Sequence, residues 1–305
     1  MEFLRMLEAA RTPALSAFMA AITYLGDETV FMVLAITVFW CVSKRQGYYI
    51  FAVGLGGTVA NQWLKLVFRV PRPWVADPGF TIVESARAGA TGYSFPSGHS
   101  QNVVGTMACL FACNRRVWLR VVCVVLMVLV PFSRMYLGVH TPLDVGVGAA
   151  CALFLTASLW PAFSGDASFR RGGRFVLIVL LCAAGAFAAW VNLAPFPADV
   201  DAENLAHGVK NGWTLLGCAL GLLAAHWYDG RCLHFDERAP FWGQACKLIL
   251  GLALLLGIRA GLKPALNALT GGAAWADAVR YFLMVVFAGC VWPHTFPLFA
   301  RMGKR

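Results

Sequence analysis

The chain has 305 residues, of which 59% are hydrophobic and only 13% are charged, whereas about a quarter of the residues of a soluble domain are charged. This composition excludes an ordinary water-soluble domain and predicts an all-α protein that crosses a lipid bilayer several times. The net charge of +10 would indicate nucleic acid in a soluble protein. Here the basic residues lie between apolar runs, so no nucleic-acid partner is expected.

The N-terminal segment, residues 3–25, is largely apolar but is interrupted by Arg5, Glu8 and Arg11. Charged residues within a short apolar segment favour an amphipathic helix that lies on the membrane surface. A further crossing of the bilayer is the alternative for this segment.

Nine apolar runs follow that are long enough, or nearly long enough, to span a bilayer. They cover residues 29–43, 47–68, 98–114, 117–135, 142–163, 174–195, 211–229, 246–263 and 278–300. The first run is short and would need a thinner bilayer or help from flanking residues. Together the runs predict a polytopic membrane helix bundle.

The distribution of Lys and Arg predicts the topology of these runs. With nine crossings, the larger share of the 25 Lys and Arg residues falls on one side, which the positive-inside rule assigns to the cytoplasm. A polar, glycine-rich stretch at residues 163–174 is then a cytoplasmic linker. It divides the chain into a core, residues 1–165, and an additional four-span block, residues 174–305.

Several basic residues fall near the outer ends of the core spans, where charges are costly and usually functional. Lys65 and Arg69 are four residues apart and would share one face of a helix, and the prolines that follow hold Arg72 near the same edge. Arg134 joins them from another segment. Because clustered cations repel each other, the set predicts a bound anion, and arginine suits phosphate oxygens best.

The segment Pro96-Ser97-Gly98-His99 opens another apolar run. Ser97 is a suitable N-cap, and Gly98 lets a ligand approach the backbone closely. Backbone N–H groups of residues 97–99 could then cradle phosphate oxygens. His99 has no acidic neighbour in the sequence and is free to act as a general acid.

A second histidine lies in the segment His140-Thr141-Pro142-Leu143-Asp144. Thr141 is a suitable N-cap with Pro142 at the first helical position, which places His140 just outside a helix N-terminus that favours anions. Asp144 can reach one ring nitrogen of His140 and leave the other as a nucleophile. A plain capping carboxylate is the alternative for Asp144.

These three segments resemble the three-part signature of the type 2 phosphatidic acid phosphatase family, which shares its site with the vanadium haloperoxidases. The matching positions are Lys65 with Arg72-Pro73, then Pro96-Ser97-Gly98-His99, then Ser133-Arg134 with His140 and Asp144. The resemblance covers roughly residues 10–165 and is closest to the bacterial membrane branch. The usual first span is missing, and the four spans after residue 173 lie outside the signature.

The resemblance implies that His140 is a nucleophile that forms a phosphohistidine, that Asp144 orients it, and that His99 protonates the leaving oxygen. It implies that the phosphoryl oxygens are bound by Lys65, Arg72, Ser97, Gly98 and Arg134. No metal and no other cofactor are implied, because fixed cations can supply the positive charge.

The expected function is therefore a lipid phosphatase in the bacterial inner membrane, with its site on the periplasmic side. Its partner would be a membrane lipid phosphate such as undecaprenyl diphosphate, phosphatidic acid or phosphatidylglycerol phosphate. A lipid phosphotransferase with the same phosphohistidine, or a non-enzymatic lipid carrier, is the alternative. The sequence leaves open whether the protein forms a homo-oligomer.

Arg259, Lys263 and Arg280 of the last block form a hypothetical second headgroup site, with ordinary interfacial anchoring as the alternative.

Overall fold

The computed structural model describes residues 1–302, and every regular element in this range is helical, which confirms the all-α prediction. The helices of the first half are α1 (Glu2–Ala9), α2 (Pro13–Thr23), α3 (Glu28–Cys41), α4 (Lys44–Phe68), α5 (Pro73–Ala76), α6 (Gly98–Cys113), α7 (Val117–Tyr136) and α8 (Pro142–Phe163). Those of the second half are α9 (Asp166–Ser168), α10 (Arg174–Leu193), α11 (Ala202–Tyr228), α12 (Phe241–Thr270), α13 (Ala276–Val286) and α14 (Phe296–Ala300).

Five helical segments are long and apolar enough to cross a membrane by themselves. They are Val117–Tyr136, Pro142–Phe163, Asp166–Leu193, Phe241–Thr270 and Ala276–Ala300. Helices α2 and α3 meet this condition only as a pair, bent by 48°, which is the geometry of a broken span or a re-entrant loop. The predicted runs 47–68, 98–114 and 211–229 also fall on helices, namely α4, α6 and α11. These helices do not meet the condition by themselves: α6 has only 16 residues, and α4 and α11 contain more polar residues than the five segments above.

The N-terminal segment corrects the prediction of one amphipathic helix over residues 3–25, because it forms two helices. The chain turns at Ala10–Thr12, where the Thr12 hydroxyl accepts a hydrogen bond from the Leu15 amide and Pro13 opens α2. Helix α1 is also tied to the protein: the Arg5 guanidinium lies 2.6 Å from the Asp77 carboxylate.

The chain divides into two compact units that are not continuous in sequence. Unit 1 comprises Met1–Met32, Gly56–Ser158 and Phe196–Gly208, and unit 2 comprises Val33–Leu55, Leu159–Pro195 and the chain from Val209 onward. All three motif segments lie in unit 1. The predicted domains, residues 1–165 and 174–305, stay predictions. The two compact units do not coincide with them, because each unit combines three separate stretches of the chain.

The turn after α7, at Gly138, leads the chain to His140 in unit 1. Gly138 adopts a left-handed conformation with φ of 82°, and a Cβ there would lie 2.7 Å from the Arg11 guanidinium. Arg11 in turn donates to the Tyr136 carbonyl at 3.0 Å. The turn between α1 and α2 therefore supports the turn that leads from Tyr136 to His140.

Unit 2 contains partly buried ion pairs of its own. Lys44 lies 2.8 Å from the Asp229 carboxylate, and Arg280 lies 2.6 Å from Asp277. Because Arg280 is paired within its own helix, it lends little support to the hypothetical headgroup site with Arg259 and Lys263, both of which are exposed. That hypothesis stays a prediction.

Candidate active site

Arg72 lies between α4 and α5 and is fixed by main-chain carbonyls. Its Nε donates to the Gly92 carbonyl at 3.0 Å, its Nη2 to Thr91 at 2.6 Å and its Nη1 to Val139 at 3.0 Å. Burial lowers the pKa of Arg72 to about 10, so the guanidinium stays charged at neutral pH. Its Nη1 also lies 2.9 Å from Nε2 of His140. The arginine is thus held rigidly beside the histidine.

The contact with Arg72 defines the tautomer of His140. A guanidinium can only donate, so Nε2 of His140 accepts and Nδ1 carries the proton. Nδ1 lies 3.5 Å from Oδ2 of Asp144, which is ion-pair distance but longer than a hydrogen bond. Burial lowers the pKa of His140 well below its usual range, and the nearby Arg72 cation lowers it further. The ring is therefore neutral, with the lone pair on Nε2, as a nucleophile requires.

Asp144 belongs to a reciprocal cap at the start of α8. Its amide donates to the Thr141 hydroxyl at 3.2 Å, and its carboxylate accepts from the Thr141 amide at 2.7 Å. The same oxygen accepts from the Ser94 hydroxyl at 2.6 Å. Asp144 is thus a capping carboxylate that also lies at ion-pair distance from His140, and its role in orienting the histidine stays a prediction.

The Ser97 amide joins the two histidine segments. It donates to the Asp144 carbonyl at 2.9 Å, which corrects the expectation that this amide is free to bind phosphate. The Ser97 side chain is the N-cap of α6 and accepts from the Ser100 amide at 3.4 Å, as predicted. A Cβ on Gly98 would meet nothing within 4 Å, so there is open space beside this part of the backbone.

His99 occupies the first turn of α6 and is half-buried. The turn Tyr24–Gly26 covers it on one side, since a Cβ on Gly26 would lie 3.0 Å from the His99 carbonyl. On the other side, a Cβ on Gly89 would lie 3.9 Å from its Nε2. Burial and the nearby Arg134 cation lower the pKa of His99 to about 3, and the Asp27 carboxylate offsets this only in part. The N-terminal helices therefore form one wall of the site.

Lys65 and Arg134 complete the buried cations. Lys65 donates from Nζ to the Tyr93 carbonyl, and Arg134 donates from Nη1 to the Thr23 hydroxyl at 2.9 Å. The Nε and Nη2 atoms of Arg134 are buried and have no hydrogen-bond partner among residues 1–302. Orphaned buried donors on a cation are costly, so this side of Arg134 is prepared for an anion.

Three residues that build this site are not marked by the sequence motifs, and a fourth residue lies elsewhere than its spacing predicts. Thr23, Ser94 and Gly148 were not identified; a Cβ on Gly148 would lie 2.7 Å from the Ser97 carbonyl. Only Ser94 had a visible signal, as a hydroxyl two residues before Pro96. Arg69 follows the end of α4 in a left-handed conformation and pairs with Asp199, so it does not continue the face of Lys65.

The assembled site is a neutral histidine surrounded by buried cations, with a second histidine beside it. Within residues 1–302, no group of three His, Cys, Asp or Glu side chains could hold a metal ion. The arrangement suits transfer of a phosphoryl group, because fixed cations can stabilise the charge on its equatorial oxygens.

Comparison with known families agrees with this geometry. Residues 45–167 match the PAP2 superfamily, and residues 213–304 match the PAP2 superfamily phosphatase, transmembrane extension. The chain belongs to the PAP2 superfamily. The prediction of a phosphatidic acid phosphatase-like core followed by a further membrane block is confirmed, and the protein is a multi-span PAP2 protein with all of its candidate site residues inside the first match.

Among curated proteins, the chain is similar to two bacterial members. It is 35% identical over 121 residues to the putative undecaprenyl-diphosphatase YbjG of Escherichia coli (strain K12), covering 38% of this chain and 58% of that protein. It is 30% identical over 122 residues to the undecaprenyl-diphosphatase BcrC of Bacillus subtilis (strain 168), covering 40% and 60%. The chain thus spans less than two thirds of the length of these relatives.

Two further similarities are more distant in sequence. An undecaprenyl-diphosphatase of Sulfolobus acidocaldarius is 27% identical over 149 residues, covering 48% of this chain and 70% of that protein. Among solved structures, the crystal structure of Aquifex aeolicus LpxE matches with 27% identity and a TM-score of 0.45, covering 52% of this chain and 92% of that chain.

Proposed function

We propose that this PAP2 protein is a membrane-embedded lipid phosphatase that hydrolyses undecaprenyl diphosphate through a phosphohistidine on His140. The observation that carries the proposal is the neutral His140, whose Nε2 lone pair faces Arg72 among buried cations. The names of the curated relatives favour undecaprenyl diphosphate over phosphatidic acid and phosphatidylglycerol phosphate.

The first half of the reaction transfers the phosphoryl group to the protein. Nε2 of His140 attacks the terminal phosphorus, and the bond from that phosphorus to the bridging oxygen breaks. The anionic substrate offsets the cations that lower the pKa of His99, so that His99 takes up a proton on binding and gives it to the departing lipid phosphate. Arg72 leaves Nε2 of His140 and donates to a phosphoryl oxygen instead, while the orphaned donors of Arg134 bind another.

The second half returns the protein to its starting state. A water molecule attacks the phosphorus while neutral His99 takes its proton, and the nitrogen–phosphorus bond breaks. Inorganic phosphate leaves, and His140 regains its lone pair on Nε2. Each turnover consumes one water and needs no redox partner, and the protein's own cations supply the charge that a metal would otherwise provide.

A substrate panel tests the activity. The full chain in detergent is assayed for phosphate release from the three lipids in the presence of EDTA, with a His140→Ala variant as control. We expect the highest kcat/KM for undecaprenyl diphosphate and full activity with EDTA. Loss of activity on chelation that Mg²⁺ restores would contradict the metal-free mechanism, and transfer to a second lipid in place of phosphate release would favour a phosphotransferase.

Trapping tests the intermediate. The protein is mixed with substrate radiolabelled at the terminal phosphate and quenched within the first turnover. We expect label on the protein that is stable in alkali and released by acid, as a phosphoramidate is, and that is absent from His140→Ala. Label that resists acid would assign the phosphate to another side chain.

We further propose that the protein lies in the bacterial inner membrane with its site on the periplasmic side, which the Lys and Arg distribution supports. Single cysteines at Arg87 and Ser168, both exposed, test this in a background without the native cysteines. An impermeant reagent added outside is expected to label the cysteine at 87 and not that at 168. The opposite pattern would place the site in the cytoplasm.

A further inference from the structure

The segment Phe196–Gly208, here called the loop, has an unusual place in the chain, and its residues from Ala202 onward form the first turns of α11. It belongs to unit 1, whereas the stretches on both sides of it belong to unit 2. It also lies between the two family matches, residues 45–167 and 213–304, and is covered by neither. Its contribution to the candidate site is therefore not described by either part of the superfamily match.

The first contact of this loop is with the end of α4. Oδ1 of Asp199 lies 3.4 Å from Nη1 of Arg69, whose left-handed backbone has φ of 49°. The Arg69 amide donates to the carbonyl of Lys65 at 2.9 Å. The loop thus holds the residue that closes the last turn of α4, and Lys65 lies in that turn.

The second contact is with the segment that precedes α6. The Asp201 amide donates to the Tyr93 hydroxyl at 3.4 Å, and the Tyr93 carbonyl accepts from Nζ of Lys65. Gly92 is left-handed, with φ of 70°, and a Cβ there would lie 3.9 Å from Oδ1 of Asn204. The loop therefore lies against both residues of this dipeptide.

The Thr91–Tyr93 segment is what holds the cations in place. Carbonyls of Thr91 and Gly92 accept from Arg72, and the carbonyl of Tyr93 accepts from Lys65. Through these carbonyls the segment fixes both side chains. A shift of the segment would move the two cations together, because each follows its carbonyl.

We propose that the loop Phe196–Gly208 positions Lys65 and Arg72 for the phosphate group of the substrate, by holding Arg69 and the Gly92–Tyr93 segment. Its residues act through those cations and do not touch the phosphate. The inference rests on the proposed phosphatase function. It assigns a role in phosphate affinity to a stretch of chain that joins the two matched regions.

A charge-reversal cycle tests the first contact. Arg69→Asp and Asp199→Arg place like charges opposite each other, and the double variant restores an attractive pair; Asp tolerates the left-handed backbone at position 69. The Arg45–Asp166 pair of unit 2 is a matched control, since it has the same 3.4 Å separation and side chains that are 29% and 87% exposed, against 35% and 76% for Arg69 and Asp199.

Three measurements are made on the full chain: KM, kcat and the rise in Tm produced by orthovanadate, a phosphate analogue. We expect each single reversal at 69 or 199 to raise KM about threefold to fivefold, the range of an exposed ion pair, with kcat changed less than about twofold. The double variant should recover most of this loss. The orthovanadate-dependent rise in Tm should shrink and recover in parallel.

Tyr93→Phe tests the second contact, because it removes the hydroxyl and keeps the carbonyl that holds Lys65. We expect a similar rise in KM. Unchanged KM and orthovanadate affinity in these variants, or equal changes in the Arg45 and Asp166 control, would overturn the positioning role. If the wild type hydrolyses none of the lipids, the proposed function fails, while the orthovanadate-dependent Tm still tests the positioning of the cations.

Discussion

The two units treat buried positive charge in different ways. In unit 2, the Lys44 ammonium lies 2.8 Å from Asp229, and the Arg280 guanidinium lies 2.6 Å from Asp277. Each of these cations has a carboxylate next to it, so the cost of removing the charge from water is offset locally. Such pairs fix the packing of helices and loops. Lys247 of unit 2 is also fully buried and has no carboxylate at ion-pair distance among the described residues, but its Nζ donates to the Glu237 carbonyl at 2.8 Å and lies 4.4 Å from the centre of the Phe296 ring.

Unit 1 lacks this balance. Lys65, Arg72 and Arg134 are all buried, yet none of them forms an ion pair with a carboxylate within residues 1–302. The nearby carboxylate of Asp144 is occupied by Ser94 and the cap of α8. The difference is that unit 1 clusters three buried cations around a neutral histidine, with two Arg134 donors that have no partner among the described residues, whereas the cations of unit 2 are held singly by carboxylates or a carbonyl. The cluster therefore indicates a preorganised anion site, and the single cations indicate structure.

The largest expected effect comes from His140→Ala, which removes the nucleophile and leaves the cations in place. We expect kcat/KM to fall at least about a thousandfold, the size of losses seen when a nucleophile is deleted. The orthovanadate-dependent rise in Tm should be largely kept, since the cations bind the anion. A variant with more than about a tenth of wild-type activity would mean that another group accepts the phosphate.

Removing one cation from each unit tests the contrast directly. Arg134→Met should lower kcat/KM about a hundredfold by deleting two donors to the phosphate, with an unchanged or higher Tm because an unpaired buried charge is gone. Arg280→Met should keep the activity and lower Tm by about 2–6 °C, because it leaves Asp277 without its partner. The reverse pattern would break the comparison between the units.

A smaller effect is expected from Thr23→Val, which removes the hydroxyl that holds Nη1 of Arg134. Hydrogen bonds to charged groups contribute about 1.5–3 kcal/mol, so kcat/KM should fall about tenfold or somewhat more. Thr106→Val is the matched control, because Thr106 is also buried in unit 1 but bonds to the Asn102 carbonyl of its own helix. Equal losses in both variants would show that only packing is affected.

The smallest effect concerns pH. Because burial and the neighbouring cations lower the pKa of His140, the ring stays unprotonated below its ordinary pKa of 6.5. Protonation of His140 should therefore cause no loss of kcat/KM as pH falls from 7 to 6. The acid limb of the pH profile that belongs to His140 should lie below pH 6.5. An acid limb centred at or above 6.5 would contradict a desolvated His140.

What could be predicted from the sequence is what depends on neighbouring residues. The cap formed by Thr141 and Asp144 and the N-cap at Ser97 follow from spacings of three residues, and both were found. The bond between Arg134 and Thr23 joins residues 111 positions apart, which no local pattern reveals. Arg69 was misplaced because the spacing argument assumes a continuing helix, whereas α4 ends at Phe68.

The hydrogen bond from the Ser97 amide to the Asp144 carbonyl separates what fixes the shape of the site from what supplies its chemistry. Their bond sets the separation between the two histidine segments through the main chain, so it survives any side chain at position 144. The absence of a side chain at Gly148 keeps α8 close enough for that bond to form. Exchange of the carboxylate would therefore remove a chemical group from the site and leave the main-chain bond that spaces the two histidine segments in place.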